Sequence, residues 1–107
     1  LLKAYDKKCA MTDCAVVEIL EAAHIKPYRG PETNRTDNGL LLRADIHTLF
    51  DKGLIWVDEH SLIQISDRLH GSEYAGLSGK PLRMPIDTSS RPHPEHLAAH
   101  RSAVLKK

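Results

Sequence analysis

Two histidines, an asparagine and three carboxylates occupy the first half of this chain at spacings that chemistry can use. His24 closes the run Glu21-Ala22-Ala23-His24, Asn38 ends a polar stretch, and His47 follows nine residues later, with Asp51 four beyond it. A histidine ring can take a proton near neutral pH, so it suits general-base work. On a helix, His47 and Asp51 fall on one face and could touch a metal ion together. Arg29 and Arg43 carry forked donors that match a phosphate. Each residue also has a plainer reading. A lone histidine at a strand end is usually a satisfied polar group, and exposed arginines are usually solvated. Asn38 before Gly39 is a natural turn residue. Asp45 is first an N-cap and only second a metal ligand. Asp51 at a helix C-terminus is mildly unfavourable against the dipole, which leans that position toward function.

The elements that must position these groups can be read from the pattern. Leu1 to Tyr5 can form a short helical stub, ended by Asp6-Lys7-Lys8. A strand is expected near Leu20 to Ile25, with helix competing over Val16 to Leu20, and Pro27 stops it. Lys26 to Asn38 is a polar loop, long for a small domain and of the kind that is more often functional than idle. Gly39 to Arg43 is a second apolar strand. Asp45 then caps a helix from Ile46 to Lys52, with Gly53 as its stop. Leu54–Val57 and Leu62–Ile65 flank Asp58-Glu59-His60-Ser61, a hairpin signal. Beyond Ser66 glycines and prolines loosen the chain until a last helix opens at Pro92 to Pro94 and runs to about Leu105. This order is an α+β arrangement: two strands, a long loop and a helix, followed by a β-hairpin and a C-terminal helix.

The stretch Glu21-Ala22-Ala23-His24-Ile25-Lys26-Pro27, then Asn38-Gly39-Leu40-Leu41-Leu42-Arg43-Ala44-Asp45-Ile46-His47-Thr48-Leu49-Phe50-Asp51-Lys52-Gly53, resembles the HNH endonuclease signature. That signature places a histidine at the end of a first strand, a central asparagine, and a histidine on the helix after the second strand. The likeness runs from about Cys9 to Val57 and is closest to the bacterial subgroup with "AAHI" and "NGLLLRADIHTLFD" motifs. It implies a ββα-metal fold over that core and metal-dependent hydrolysis of DNA. By motif position His24 would be the general base, His47 a metal ligand, and Asn38 the residue that pins the loop and turns the base inward. The metal would be a divalent ion, magnesium first, with manganese, nickel or zinc also compatible with nitrogen and oxygen donors.

This chain departs from the family pattern at Ala23, where many members carry an acidic residue or histidine that binds the metal. Asp51 and substrate oxygens are the expected completion. Glu21, two residues back on the same strand face, is a lesser candidate. Cys9-x4-Cys14 is at most half of a structural zinc site, and both read as small buried side chains. His93, His96 and His100 form an H-x2-H-x3-H pattern without an acid between them, so packing and surface roles are expected.

The 107 residues fit one domain with one modest core. With 41% hydrophobic and 27% charged residues the chain should fold rather than stay disordered. A net charge of +1 excludes a protein that coats nucleic acid along its whole surface. DNA contact must therefore be local. The opening Leu-Leu-Lys-Ala-Tyr reads like the tail of an amphipathic helix, so a further domain is expected before it in a longer chain. No segment reads as a signal peptide or a membrane span, and a cytoplasmic setting is expected. The resemblance implies the nuclease module of a restriction or defence-type protein, possible as a dimer where both strands are cut. The rival reading, kept open by Ala23, is a catalytically silent HNH-derived module that binds nucleic acid or a partner protein. Cys9→Ser with Cys14→Ser should leave zinc content unchanged by elemental analysis, because two thiolates cannot close a tetrahedral site. One zinc per chain, lost in the double variant, would contradict this.

Overall fold

Gly39-Leu40-Leu41-Leu42 has no polar alternation, the pattern of a strand covered on both faces. That strand, β2 (Gly39–Arg43), is the middle of the structure, with all four of those residues buried. The computed structural model describes residues 1–26, 30 and 35–105. Strand β1 (Leu20–His24) runs antiparallel to β2, in a register from Leu20 opposite Arg43 to His24 opposite Gly39. The other edge of β2 is occupied by the N-terminal segment. Ala10 N–H donates to the Leu41 carbonyl at 2.8 Å, and Arg43 N–H donates to Cys9 Sγ at 3.3 Å.

Helix α1 (Ala44–Asp51) follows β2 without a loop and lies on this hairpin, with Ile46 and Phe50 fully buried. A second antiparallel pair, β3 (Ile55–Val57) and β4 (Ile63–Ile65), forms the expected hairpin, with Ile55, Val57, Ile63 and Ile65 inward and Trp56 and Gln64 half-exposed. Asp58 organises its turn by accepting from the His60 and Leu62 amides and from Gln64 Nε2. The C-terminal helix α2 (Pro94–Leu105) packs on β3. The α+β order expected from the sequence is thus the observed one. Burying each core leucine or isoleucine contributes about 1.5–3 kcal/mol before conformational entropy is charged against it.

Some local expectations are corrected. Residues 2–7 form turns instead of a helical stub, with Asp6 and Lys7 at φ 53° and 56°, in the left-handed region. The first strand ends at His24, one residue early, and the competing helix over Val16 to Leu20 shrinks to a 3-10 turn, Val17–Ile19. Asp45 does not cap α1. The helix starts one residue before it, at Ala44, and its N-cap position is Arg43, which makes no side-chain cap bond. Asp45 instead faces Arg43, whose Nε and Nη2 donate to its two oxygens at 2.6 and 2.9 Å. Tyr74 Oη–H donates to the same carboxylate at 2.8 Å, and the Ile46 amide at 2.9 Å. Tyr74 comes from the glycine-rich segment that the sequence left loose, so this cluster clips that segment to the start of α1.

The Arg43 guanidinium, helped by Tyr74 and the Ile46 amide, pulls the Asp45 carboxyl down to about 2. A depressed carboxyl stabilises the fold above its ordinary range near 4 and loses that contribution as pH falls toward about 2. Hydrogen bonds to charged groups typically contribute ~1.5–3 kcal/mol. With the Asp45 side chain 38% exposed, solvent screening lowers this, and Asp45→Asn should cost about 1 kcal/mol at pH 7. Urea denaturation of both proteins should show the gap closing between about pH 4 and 2. A gap independent of pH would refute the assignment.

Candidate active site

His24 is placed by its position as the last residue of β1, after which the chain leaves the sheet. What holds the departure is Asn38, the buried polar residue of the described core at 2% exposure. Its Oδ1 accepts from the Lys26 amide at 2.9 Å, its Nδ2 donates to the Lys26 carbonyl at 3.2 Å, and its own carbonyl accepts from the Ile25 amide at 2.9 Å. The side-chain amide therefore acts as one more peptide unit in the ladder. It extends the β1–β2 pairing past His24 although the backbone there has turned away.

His47 projects from α1 between two carboxylates. Its Nδ1 lies 2.7 Å from Glu21 Oε1, across from β1, and its Nε2 lies 3.2 Å from Asp51 Oδ2, one turn along the same helix. The imidazole is 24% exposed, and the carboxylates are 50% and 59% exposed. His24, Lys26, His47, Asp51 and His100 line one cleft of about 560 Å³ between β1, the end of α1 and α2. The structure therefore brings His24, His47 and Asp51 together, with Glu21 against the far nitrogen of His47 and Asn38 behind the turn. It does not bring Arg43 or Asp45 there. Arg43 lines a different depression, beside Tyr74, and its guanidinium is turned to Asp45. Arg29 lies outside the described residues.

A neutral imidazole has one N–H, so Glu21 and Asp51 cannot both accept from it. A cation on Nε2 would resolve this, leaving Nδ1–H to donate to Glu21, the usual outer partner of a metal-bound histidine. The spacing suits that arrangement. Ligands at ~2.1 Å and right angles around a small divalent ion lie about 3 Å apart, close to the 3.2 Å between Nε2 and Oδ2. His47 and Asp51 are thus the donors that fit, while Ala23 is fully buried and offers none. Among the described residues no three His, Cys, Asp or Glu side chains group tightly enough to hold an ion alone.

Residues 9–58 match the sequence model described as HNH endonuclease. Over that stretch the chain is similar to the HNH endonuclease family. A solved structure named "Modification dependent TagI restriction endonuclease" has the same fold, with a TM-score of 0.73, 21% identity, and 95% of this chain covered. This chain spans 35% of the length of that protein. No curated protein matches it.

Sequence reasoning missed His100 and Lys26 as walls of the cleft. The four-residue spacing of His96 and His100 put them on one face, but nothing in it said which carbonyls that face would meet. Their expected packing role holds, since His96 Nδ1 lies 3.1 Å from the Asp37 carbonyl and His100 Nε2 lies 3.0 Å from that of Phe50.

Asn38→Ala leaves the Lys26 amide and carbonyl without partners in a part-buried site, at about 1–3 kcal/mol for each group left unsatisfied. Asn38→Asp keeps the acceptor but sets a carboxylate oxygen against the Lys26 carbonyl, so it should not restore stability. Chemical denaturation of both variants checks this. Wild-type stability in Asn38→Asp would mean that only the Oδ1 contact matters.

Proposed function

We propose that this chain is the metal-dependent DNA-cutting module of a larger restriction or defence-type protein. The observation that carries the reading is the convergence of His24, His47 and Asp51 on one cleft, with Asn38 bracing the turn beside His24. In this reading His24 takes a proton from water as its oxygen attacks the phosphodiester phosphorus, and the bond to the 3′ oxygen breaks. His47 and Asp51 hold a divalent ion, magnesium first and manganese, nickel or zinc as alternatives. When bound, that ion supplies positive charge to the scissile phosphate and the leaving oxygen. Glu21 orients His47 through Nδ1–H, and Lys26 at the rim of the cleft meets a neighbouring phosphate. Arg29 remains a candidate for the same task, whereas Arg43 would first have to leave Asp45.

The net charge of +1 fits a cutting module whose affinity for DNA comes mainly from another part of a longer protein. The TagI protein is described as modification-dependent, and its length relative to this chain fits such an arrangement. Restriction of modified DNA in the cytoplasm, with two copies needed to cut both strands, is the setting this reading implies. No described helix is long and apolar enough to cross a membrane. Ala23, buried at the position where the family pattern often places a ligand, favours one rival: a module that binds nucleic acid or protein without cutting.

Plasmid nicking separates the two readings. The wild type should convert supercoiled plasmid in the presence of Mg²⁺ or Mn²⁺ and stop in chelator. His24→Ala should lose at least the ~10²–10⁴-fold typical of general acid–base catalysis, with DNA binding retained. His47→Ala should abolish cleavage, and Asp51→Ala should raise the metal concentration for half-maximal rate. Chelator-resistant nicking, or full activity in His24→Ala, would refute the assignment. Plasmid binding without any nicking would favour the silent module.

A further inference from the structure

Helix α2 buries only one residue, Leu97, so its seat depends on polar side chains that reach main-chain carbonyls of neighbouring elements. His96 reaches Asp37, Arg101 Nη1 donates to Val57 at 3.1 Å, and His100 Nε2–H donates to Phe50 at 3.0 Å. The His100 ring also stacks on Phe50, with centroids 3.7 Å apart and planes 2° from parallel. Four residues on, Val104 presses against the end of α1, where a Cβ added at Gly53 would come within 3.3 Å of it.

From this geometry we infer that His100 is a positioning residue for the candidate metal site, setting the direction in which Asp51 leaves α1. The Phe50 carbonyl and the Asp51 nitrogen and Cα share one rigid peptide plane. Holding that carbonyl fixes the plane from which the Asp51 side chain departs toward His47 Nε2. The inference rests on the proposed assignment of His47 and Asp51 to a metal ion.

Two features distinguish this from plain packing. The Phe50 carbonyl already accepts from the Gly53 amide at 3.1 Å, so the His100 bond is not needed to satisfy it. His100 Nδ1, moreover, is buried with no partner among the described residues. A phenylalanine would stack on Phe50 without that orphaned acceptor. What only a donor at this position supplies is the grip on the carbonyl. Burial holds the ring below the ordinary histidine range, which favours the neutral form with its single proton on Nε2.

The test compares His100→Phe, which keeps a stacking ring and loses the donor, with His100→Gln, which keeps a donor. In metal-free protein, the ¹⁵N signals of the His47 ring report its contact with Asp51. They should move in His100→Phe and return toward wild type in His100→Gln. The Mn²⁺ midpoint, read by water-proton relaxation, should rise about tenfold in His100→Phe, the low end for losing an outer partner of a metal ligand. His100→Gln should recover most of it. Wild-type His47 signals in His100→Phe, or equal damage in both variants, would overturn the inference. If His100→Phe does not fold, His100→Leu replaces it, and loss of fold in both would make His100 structural and overturn the inference as well. A wild type that takes up no Mn²⁺ would sink the metal assignment, while the metal-free His47 signals would still decide whether His100 positions Asp51.

Discussion

Asn38 is buried, and both ends of its amide are committed to the main chain of Lys26. After His24 the backbone leaves the strand, and beyond the Ile25 amide, which reaches the Asn38 carbonyl, the Lys26 peptide groups find their partners in the Asn38 side chain. A part-buried amide or carbonyl left unpaired is costly. An amide side chain, with a donor and an acceptor side by side, satisfies a peptide in a way that a carboxylate or a hydroxyl does not. The last strand residue is therefore held rigid on both sides, by Gly39 across the ladder and by Asn38 beyond it. If His24 is the proton acceptor of the proposed reaction, it must be fixed relative to its target, and that fixing would come from Asn38, on the threshold of the opposite strand.

The second strand then hands the chain to α1 with no intervening loop. Its apolar residues are covered on both faces, so β2 cannot shift, and α1 inherits its position from β2. Ile46 and Phe50 face inward, which leaves His47 and Asp51 on the flank that looks along β1 toward His24. The spacing of those residues is thus a consequence of helix periodicity working from a fixed start.

Much of this was legible in the sequence, and the reasons are physical. Unbroken apolar residues marked β2, two short apolar runs flanking a polar turn marked the β3–β4 pair, and Pro94 marked the start of α2. The His47–Asp51 relation followed from helix geometry alone. Less legible were contacts between residues far apart in sequence. Glu21 could be named as a candidate by reach, yet nothing local said that it would meet the Nδ1 side of His47. Asp45 looked like an N-cap because its type fits that position. The helix starts one residue earlier, at Ala44, so Asp45 falls inside its first turn, where the carboxylate is shared by Arg43, Tyr74 and the Ile46 amide. Tyr74 could not be placed, because its segment has neither helical nor strand period. Cys9 was readable as buried, but not as the acceptor for the Arg43 amide.

One eight-residue helix therefore carries two acid–base constellations with opposite electrostatic outcomes. At its start, Arg43 and Asp45 are one charge against one, closed by Tyr74, and the group neutralises itself. Such a cluster is complete and has little reason to recruit anything. A turn later, two carboxylates face one imidazole, and even a doubly protonated ring leaves a surplus negative charge. The exposed carboxylates soften that imbalance with solvent, but DNA closing over the cleft would displace the water and bring phosphates with it. The charge deficit would then grow on both sides of the same space. A divalent cation is the simplest group that answers both, which is why the metal reading attaches to His47 and Asp51 and not to the stronger-looking arginine–aspartate pair nearby.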